Sequence, residues 1–414
     1  MREMKDSGIE WIGAIPQDWQ LSKIGSLYTQ RNEKVSDKDY QPLSVTMQGI
    51  LPQLATAAKT DDGDNRKLVR VGDFAINSRS DRRGSCGISP LDGSVSLINI
   101  ILTPGTAMHP GYYNWLFHTT LFADEFYKWG HGIVADLWTT RWQEMKSITV
   151  PVPEYAEQER IAAFLDAECT EIDAVLEKTR ASIEEYKKLK QAVITQAVTK
   201  GIRGDRPMKD SGIEWIGEIP AEWSVVPFSK FARVSANLVN PSDYQDYLQV
   251  SPENIEKDSG KLLPCKTVSE VGVESWNHFF HKGQILYSKI RPKLNKVCIA
   301  PFDGLCSADM YPIDTDNISK FVVYTILSND FNQQVAMITE NRVKMPKINQ
   351  KELSKIIVVL PANRMEQQEI VDYLDGECGK IDALVAKKQQ YLTEIENYKK
   401  SLIYEYVTGK KEVV

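Results

Sequence analysis

An apolar stripe with helical spacing occurs twice in the chain, once in each half. In both stripes the apolar positions recur every three or four residues, which is typical of a helix that packs along another helix. We predict helices over 154–200 and 362–410. The stripes consist of Leu165, Cys169, Ile172, Leu176, Thr179, Ile183, Tyr186, Leu189 and Val193, and of Leu374, Cys378, Ile381, Val385, Leu392, Ile395, Tyr398, Leu402 and Tyr406.

Two stretches of sequence are shared by the halves, so the chain is a tandem duplication. Residues 5–13, Lys-Asp-Ser-Gly-Ile-Glu-Trp-Ile-Gly, recur unchanged at 209–217, and an Ile-Pro pair and a tryptophan follow each copy. Each predicted helix then begins with Glu-Gln-x-x-Ile-x-x-x-Leu-Asp, at 157–166 and at 366–375. A repeat of this kind dictates the architecture, because each copy builds the same structural unit.

Neither helix can bury its stripe alone, so we expect the two helices to pack on each other. A pseudo-twofold arrangement of duplicated halves makes such a pair antiparallel, as a coiled coil. The packing positions that we expect are Leu165, Ile172, Leu176, Ile183, Tyr186, Leu374, Ile381, Val385, Leu392 and Ile395.

The regions ahead of the helices are predicted to be globular domains of mixed α/β (α+β) composition. Short β-branched or apolar runs such as 147–150 and 355–360 are broken by Gly, Pro, Asn and Asp. We place the first domain at 1–153, the second at 208–361, and a linker rich in glycine and charge at 201–207. Tryptophan buries a large apolar area, so we expect packing anchors at Trp11, Trp19, Trp215 and Trp223.

Composition narrows the class of protein. With 414 residues, 42% of them hydrophobic and 26% charged, the chain has the balance of a globular protein of two or three domains. No apolar run approaches the roughly 18 residues of a membrane span, and the start lacks a signal peptide's apolar segment, so we expect a cytoplasmic protein. Six cysteines form no Cys-x-x-Cys pair and are expected to be core residues without a metal.

The duplicated Lys-Asp-Ser-Gly-Ile-Glu-Trp-Ile-Gly-x-Ile-Pro opening and the duplicated Glu-Gln helix resemble those of type I restriction-modification specificity subunits. The resemblance covers essentially the whole chain. It implies that the domains are two target-recognition domains, each reading one part of a split DNA sequence, and that the helices set the gap between the parts. Two readers joined in this way bind as one bivalent unit.

The same resemblance implies that partners supply the chemistry. They would be double-stranded DNA, two modification (methyltransferase) subunits and restriction/translocase subunits, with S-adenosylmethionine, ATP and Mg held in those subunits and no cofactor in this chain. The chain contains neither the Asn/Asp-Pro-Pro-Tyr/Phe motif of an amino-methyltransferase nor a Gly-x-x-x-x-Gly-Lys-Ser/Thr phosphate loop. We therefore expect a subunit that is not itself an enzyme.

Candidate DNA contacts lie in basic runs at corresponding places in the two domains. The net charge of −6 does not favour a nucleic-acid partner, but residues 284–300 contain four lysines and arginines and no acidic residue. Arginine and lysine suit guanine and phosphate, and asparagine suits adenine. The candidates are Asn77, Ser78, Arg79, Ser80, Arg82, Arg83 and Arg141 in the first domain and Ser288, Lys289, Arg291, Lys293, Asn295, Lys296, Arg342, Lys344 and Lys347 in the second.

A coiled-coil scaffold whose domains bind protein partners is the alternative function. Its binding would respond little to salt, whereas contacts with several DNA phosphates weaken by orders of magnitude as salt rises.

Overall fold

The computed structural model describes residues 2–54, 63–132, 138–342 and 344–413. These residues form two compact units: the first unit comprises Met1–Arg180 and Gln390–Val414, and the second comprises Ala181–Gln389. Each unit thus contains part of both long helices. The division into domains and linker made from the sequence stays a prediction.

The first unit is built around a four-stranded antiparallel sheet of order β10-β9-β12-β4, in which Ile100 lies opposite Ile76. A three-stranded sheet, β11-β8-β5, and the pairs β1-β2, β13-β3 and β6-β7 complete it. Its strands are β1 (Met4–Asp6), β2 (Ala14–Pro16), β3 (Gln20–Lys23), β4 (Tyr28–Arg31), β5 (Lys34–Val35), β6 (Leu43–Thr46), β7 (Gly49–Pro52), β8 (Arg66–Val69), β9 (Phe74–Asn77), β10 (Cys86–Ile88), β11 (Gly93–Val95), β12 (Asn99–Pro104) and β13 (Thr149–Val152). Its helices are α1 (Ile24–Leu27), α2 (Pro110–Phe117), α3 (Thr120–Lys128) and α4 (Trp142–Met145).

The second unit repeats the four-stranded sheet in the same order, as β23-β22-β25-β17. Its other large sheet is different, with five strands in the order β18-β21-β24-β19-β20 and a parallel pairing of β19 with β24. The strands are β14 (Met208–Asp210), β15 (Glu218–Pro220), β16 (Ser224–Pro227), β17 (Arg233–Val234), β18 (Leu238–Val239), β19 (Leu248–Val250), β20 (Lys266–Thr267), β21 (Asn277–Phe280), β22 (Ile285–Ser288), β23 (Val297–Ile299), β24 (Gly304–Cys306), β25 (Met310–Asp314) and β26 (Ile357–Leu360). The long helix α5 (Tyr155–Lys200) precedes α6 (Phe228–Phe231), α7 (Val268–Val271), α8 (Ser319–Leu327), α9 (Asn329–Thr339), α10 (Gln350–Leu353) and the second long helix α11 (Arg364–Val407).

In each unit the long helices pack antiparallel, as the sequence predicts. In the first unit Asp173 pairs with Lys399 at 2.6 Å and Arg180 pairs with Glu396 at 2.6 Å. Residue numbers therefore rise along one helix in the direction in which they fall along the other. The seam of this unit contains Leu165, Leu176 and Leu392, which are buried, and Ile172 and Ile395, which are half-buried.

The second unit has the matching seam. Its Lys190–Asp382 ion pair of 2.7 Å stands where the first unit has Lys399–Asp173, since both residues are displaced by the same number of positions in the repeat. Ile183, Leu374 and Ile381 are buried in this seam, with Tyr186 and Val385 half-buried.

The assignment of Leu189 and Tyr398 to the apolar seams is wrong. These equivalent residues are 48% and 55% exposed. An α-helix turns once in about 3.6 residues, so the following position enters the seam instead. There Lys190 and Lys399 bury their hydrocarbon stems, with side chains 12% and 22% exposed, and their ammonium groups reach an aspartate of the other helix.

A buried arginine–glutamate–tryptophan cluster joins the repeated opening to the start of each long helix. In the second unit Glu366 accepts hydrogen bonds from Arg206 at 2.5 Å and from the indole of Trp223 at 2.9 Å. In the first unit Glu157 accepts the same two bonds, from Arg2 and Trp19. The shared sequence therefore encodes the attachment of the domain to its helix.

The neighbouring glutamine of the same motif orders a shorter helix. The side chain of Gln158 accepts from the backbone N–H of His109, just ahead of α2, at 2.7 Å. Gln367 accepts from the N–H of Ile318, just ahead of α8, at 3.0 Å. Both glutamines are buried, and each satisfies a backbone donor at a helix N-terminus that has no partner within its helix.

Trp215 does not pack as expected. Trp11, Trp19 and Trp223 are buried, whereas Trp215 is 47% exposed. The ring of Trp11 meets that of Phe122 edge-on at 5.9 Å. In the second unit the equivalent of Phe122 is Phe331, which packs on Phe228 at 5.7 Å and on Tyr287 at 6.3 Å. The first unit has isoleucines at the positions of Phe228 and Tyr287, and its Phe122 packs on Phe117 and Phe126 as well as on Trp11.

The cysteines are unpaired thiols. Cys86, Cys169, Cys298, Cys306 and Cys378 are buried and Cys265 is half-buried. Burial raises the pKa of both Cys169 and Cys378, equivalent positions in the repeat, to about 11. The prediction that the cysteines are core residues is confirmed for five of them.

Among the described residues, no helix is long and apolar enough to cross a membrane. Over the same ranges, no group of three or more histidine, cysteine, aspartate or glutamate side chains is placed to hold a metal ion.

Candidate nucleic-acid interface

Each unit presents one basic loop at the same place in its four-stranded sheet. In the first unit the loop joins β9 to β10 and contains a short 3-10 turn at Ser80–Arg82. In the second unit it joins β22 to β23 and contains a 3-10 turn at Pro292–Leu294. The predicted correspondence between the two basic runs therefore holds in the structure, because both loops leave the same strand of the repeated sheet.

Buried polar side chains hold the base of each loop. Asn77 accepts from the N–H of Arg79 at 3.0 Å, and the backbone carbonyl of Ser78 accepts from the N–H of Thr140 at 3.0 Å. In the second unit the hydroxyl of Ser288 donates to the carbonyl of Ile290 at 3.1 Å, and Asn295 donates to the carbonyl of Leu327 at 3.3 Å. These four candidates are below the surface, so they shape the loops.

The side chain of Lys296 also forms a hydrogen bond within the protein. Its ammonium donates to the backbone carbonyl of Pro252 at 2.7 Å, and the side chain is half-buried.

The loop between β22 and β23 contains two residues with left-handed backbone, Arg291 and Asn295, whose φ angles are 43° and 45°. Such left-handed backbone is uncommon for residues other than glycine, and the adjacent hydrogen bonds hold the loop in this shape.

The second basic segment of the first unit lies directly beside its loop. The N–H of Ser80 donates to the carbonyl of Trp138 at 2.9 Å, and Arg79 forms a β-bridge with Thr139. Arg141 follows at the start of α4 and is exposed. Arg79 and Arg141, which are far apart in sequence, are thus brought to neighbouring segments.

The second unit brings its segments together in the same way. Ile290 forms a β-bridge with Lys347, and the N–H of Arg291 donates to the carbonyl of Pro346 at 2.8 Å. Arg342 and Lys344 belong to the same connection ahead of α10. The exposed candidates of this unit thus come from two separate stretches of chain that lie side by side.

Several basic side chains of these surfaces already have acidic partners. Arg83 pairs with Asp124, and Arg82 lies 3.7 Å from Asp81. The guanidinium of Arg342 donates to both carboxylate oxygens of Glu352, at 3.0 and 2.5 Å, and holds the pKa of Glu352 below its usual range. Lys347 pairs with Asp309 at 2.8 Å.

Other basic side chains are not neutralised in this way. Within the described ranges no ion pair is formed by Arg79, Arg141, Lys289, Arg291, Lys293 or Lys344. Arg141, Arg291, Lys293 and Lys344 are also exposed. A positive side chain that is exposed and has no carboxylate partner can neutralise a phosphate without first breaking an internal ion pair.

Two residues with a role in the second unit were not predicted from the sequence. Tyr311 borders the basic surface of the second unit because β25 pairs with β22, and nothing in the sequence indicates that register. Arg206 falls in the predicted linker, yet its side chain is only 8% exposed and pairs with Glu366. Here a signal existed, since Arg2 and Arg206 precede the two copies of the repeat by the same number of residues.

Comparison with known proteins gives a consistent result. Residues 230–397 match the family described as "Type I restriction modification DNA specificity domain". The chain is 34% identical over 286 residues to the type I restriction enzyme EcoDI specificity subunit of Escherichia coli, covering 64% of this chain and 63% of that protein. It is 26% identical over 283 residues to the putative type I restriction enzyme MjaX specificity subunit of Methanocaldococcus jannaschii, covering 65% of this chain and 61% of that protein. The matches thus span less than two thirds of the length of either relative.

Solved structures share the fold at low sequence identity. A chain from a structure described as the "structural basis underlying complex assembly and conformational transition of the type I R-M system" matches with a TM-score of 0.72 at 14% identity, covering 96% of this chain and 99% of that one. The HsdS subunit from Thermoanaerobacter tengcongensis matches with a TM-score of 0.50 at 14% identity, covering 96% and 98%. The family match over residues 230–397 and the two related sequences thus make this chain similar to type I restriction-modification specificity subunits, and the solved structures share its fold.

Proposed function

We propose that this chain is the DNA sequence-specificity subunit of a type I restriction-modification enzyme, and that each unit reads one half of an asymmetric, bipartite site. One observation carries the proposal. The two units keep the same sheet and the same attachment to the long helices, but the loop at the end of their central strand carries different polar and basic residues. Recognition of an asymmetric site requires two domains of the same fold whose DNA-facing loops differ in sequence.

The loops suit duplex DNA by their chemistry. Arg291, Lys293 and Lys344 are exposed and have no acidic partner among the described residues, so they are placed for phosphates, which position a protein on the duplex. In the first unit Arg141 is likewise exposed, and the half-buried Arg79 also has no acidic partner among the described residues. The acidic net charge of the chain does not oppose this function, because DNA responds to the local potential of the surface that it meets.

The long helices fix the gap between half-sites and dock two methyltransferase subunits in this proposal. Each helix exposes apolar side chains at equivalent positions: Val175 and Leu189 on α5 are 39% and 48% exposed, and Leu384 and Tyr398 on α11 are 44% and 55% exposed. Duplicated positions support two equivalent docking surfaces and hence two partner subunits. Methylation and DNA cleavage, with S-adenosylmethionine, ATP and Mg, then belong to the modification and restriction/translocase subunits, and this chain is not catalytic.

Mapping of methylated adenines tests the function directly. Co-expression of the chain with its encoded methyltransferase should produce methylation at one split motif with a fixed gap, and omission of the chain should abolish it. The readout gives both half-sites in a single experiment. Methylation that persists at the same sites without the chain would contradict the proposal and favour a protein scaffold.

Charge removal from the second unit tests the binding surface. We expect the combined Arg291→Gln, Lys293→Gln and Lys344→Gln variant to lower affinity for site-bearing duplex DNA by an order of magnitude or more at about 0.1 M salt, because phosphate contacts dominate affinity. The slope of log affinity against log salt should become shallower by roughly 0.9 for each phosphate that is no longer neutralised. Fluorescence anisotropy over a salt series measures both quantities.

The matched control changes the same net charge elsewhere. Lys209, Lys230 and Lys282 are exposed and lie outside both basic segments, so their combined replacement by glutamine should leave the salt slope nearly unchanged. Equal reductions of affinity in the two triple variants would show that only net charge matters, and an unchanged affinity in the first would remove these residues from the interface.

A further inference from the structure

A cavity of about 450 Å³ lies where the two basic segments of the second unit meet. Its walls are tied to the central strands: the N–H of Ile348 donates to the carbonyl of Lys289 at 3.0 Å, and the hydroxyl of Tyr311 donates to the carbonyl of Ile348 at 3.4 Å. Ile348 itself is fully buried. The lining consists of Lys289, Tyr311, Arg342, Met345, Lys347, Ile348 and Asn349.

Lys289 differs from the other two basic residues of this cavity. Lys347 is neutralised by Asp309 and Arg342 by Glu352. The ammonium of Lys289 has no acidic partner among the described residues and lies 5.1 Å from the centre of the Tyr311 ring. A cation over an aromatic face is held in place by the ring's electrostatic field, but it keeps its capacity to donate hydrogen bonds outward.

Among the described residues of the first unit, the Lys289–Tyr311 arrangement has no equivalent. Strand pairing sets Asn77 opposite Asn99 there and Ser288 opposite Met310 in the second unit, so Lys289 corresponds to Ser78 and Tyr311 to Ile100. The residues that attach each domain to its long helix, such as Glu157 and Glu366, have the same side chains in both units. The Lys289–Tyr311 pair is not duplicated, so it belongs to the part of the unit that distinguishes the two readers.

We propose that Lys289 is a specificity-determining residue of the second unit and donates to the O6 and N7 acceptors of a guanine in the half-site that this unit reads. This inference rests on the proposed function. Lysine to guanine O6 and N7 is a favoured pairing in the major groove. A phosphate is the poorer ligand here, because it would meet the carboxylates of Asp309 and Glu352, whereas a base edge is neutral and needs only a fixed donor.

The first arm of the test uses the wild-type chain in complex with its methyltransferase. Once methylation mapping has defined the motif, each guanine of the second half-site is replaced in turn by 7-deazaguanine, which lacks the N7 acceptor. A contact with both acceptors is worth about 1–3 kcal/mol, so removal of N7 alone, with O6 kept, should cost about half of that, or roughly 2- to 12-fold in affinity. We expect such a reduction at one guanine. Full affinity at every replaced position would overturn the proposal without any variant protein.

The second arm compares Lys289→Met, Lys289→Arg and the control Lys282→Met in the same complex. Lys289→Met should relax the methylated motif at that one base, should be indifferent to 7-deazaguanine there, and should leave the first half-site and the gap unchanged. Lys289→Arg should retain the guanine, and Lys282→Met should behave as wild type. A uniform weakening of all sites with an unchanged motif would assign Lys289 to the backbone and contradict the proposal. Absence of any split motif in the wild type would instead contradict the proposed function.

Discussion

Neutralising Glu366 should destabilise the second unit by about 3 kcal/mol or more, because removal of one partner leaves the other charge buried and unpaired. In the Glu366→Gln variant the indole of Trp223 keeps an acceptor, so the main effect is the absence of the charge opposite Arg206. The side chains of Arg206 and Glu366 are only 8% and 5% exposed. Glu222, which also pairs with Arg206, is largely exposed and compensates in part. Chemical unfolding of the full chain followed by tryptophan fluorescence measures the change.

Two variants serve as controls for this destabilisation. Glu369 pairs with Arg203 at 2.5 Å on the surface, with side chains 42% and 57% exposed, so Glu369→Gln should cost less than about 1 kcal/mol. Glu157→Gln removes the equivalent charge from the first unit, where Arg2 and Glu157 are 20% and 13% exposed. Its effect should lie between the other two. An equal effect of Glu366→Gln and Glu369→Gln would show that burial of the pair does not matter.

Identical tryptophans of the repeat should respond differently to truncation. Trp11→Ala should destabilise the first unit by about 3–5 kcal/mol, since removal of a buried aromatic side chain combines a smaller buried area with a cavity. Trp11 is only 8% exposed and packs against Phe122. Trp215→Ala should cost clearly less in the second unit, about 1–2 kcal/mol, because the ring is already 47% exposed and gives up correspondingly less buried area. Thermal unfolding of the full-length variants gives the comparison.

The second tryptophan of each repeat is the matched reference. Trp19 and Trp223 are 1% and 0% exposed, and both donate to the glutamate that begins the long-helix motif. Trp19→Ala and Trp223→Ala should therefore both be strongly destabilising and similar to each other. If Trp11→Ala and Trp215→Ala proved equally costly, the difference in burial between the two units would not describe the protein in solution.

The duplicated frame of this protein can be predicted from local sequence patterns. The repeated stretches at 5–13 and 209–217, and the Glu-Gln stretches that begin the long helices, predict a duplicated chain with two helical seams. The fold follows because these features are local: helical periodicity and an exact repeat specify elements and their recurrence whatever surrounds them. Correspondence of the two basic loops was also predictable, since both follow the same strand of the duplicated sheet.

Which of the chemically suitable residues are accessible depends instead on long-range packing. Asn77, Ser78, Ser288 and Asn295 have the residue types of DNA contacts, yet they are buried and hold their loops. Trp11 contacts Phe122 of α3, far along the chain, whereas the equivalent Phe331 of α9 packs on Phe228 and Tyr287. The cavity that joins Lys289 to Tyr311 depends on the register of β22 with β25. Such contacts link residues that are distant in sequence, so no local pattern records them, and packing alone selects the partner of each side chain.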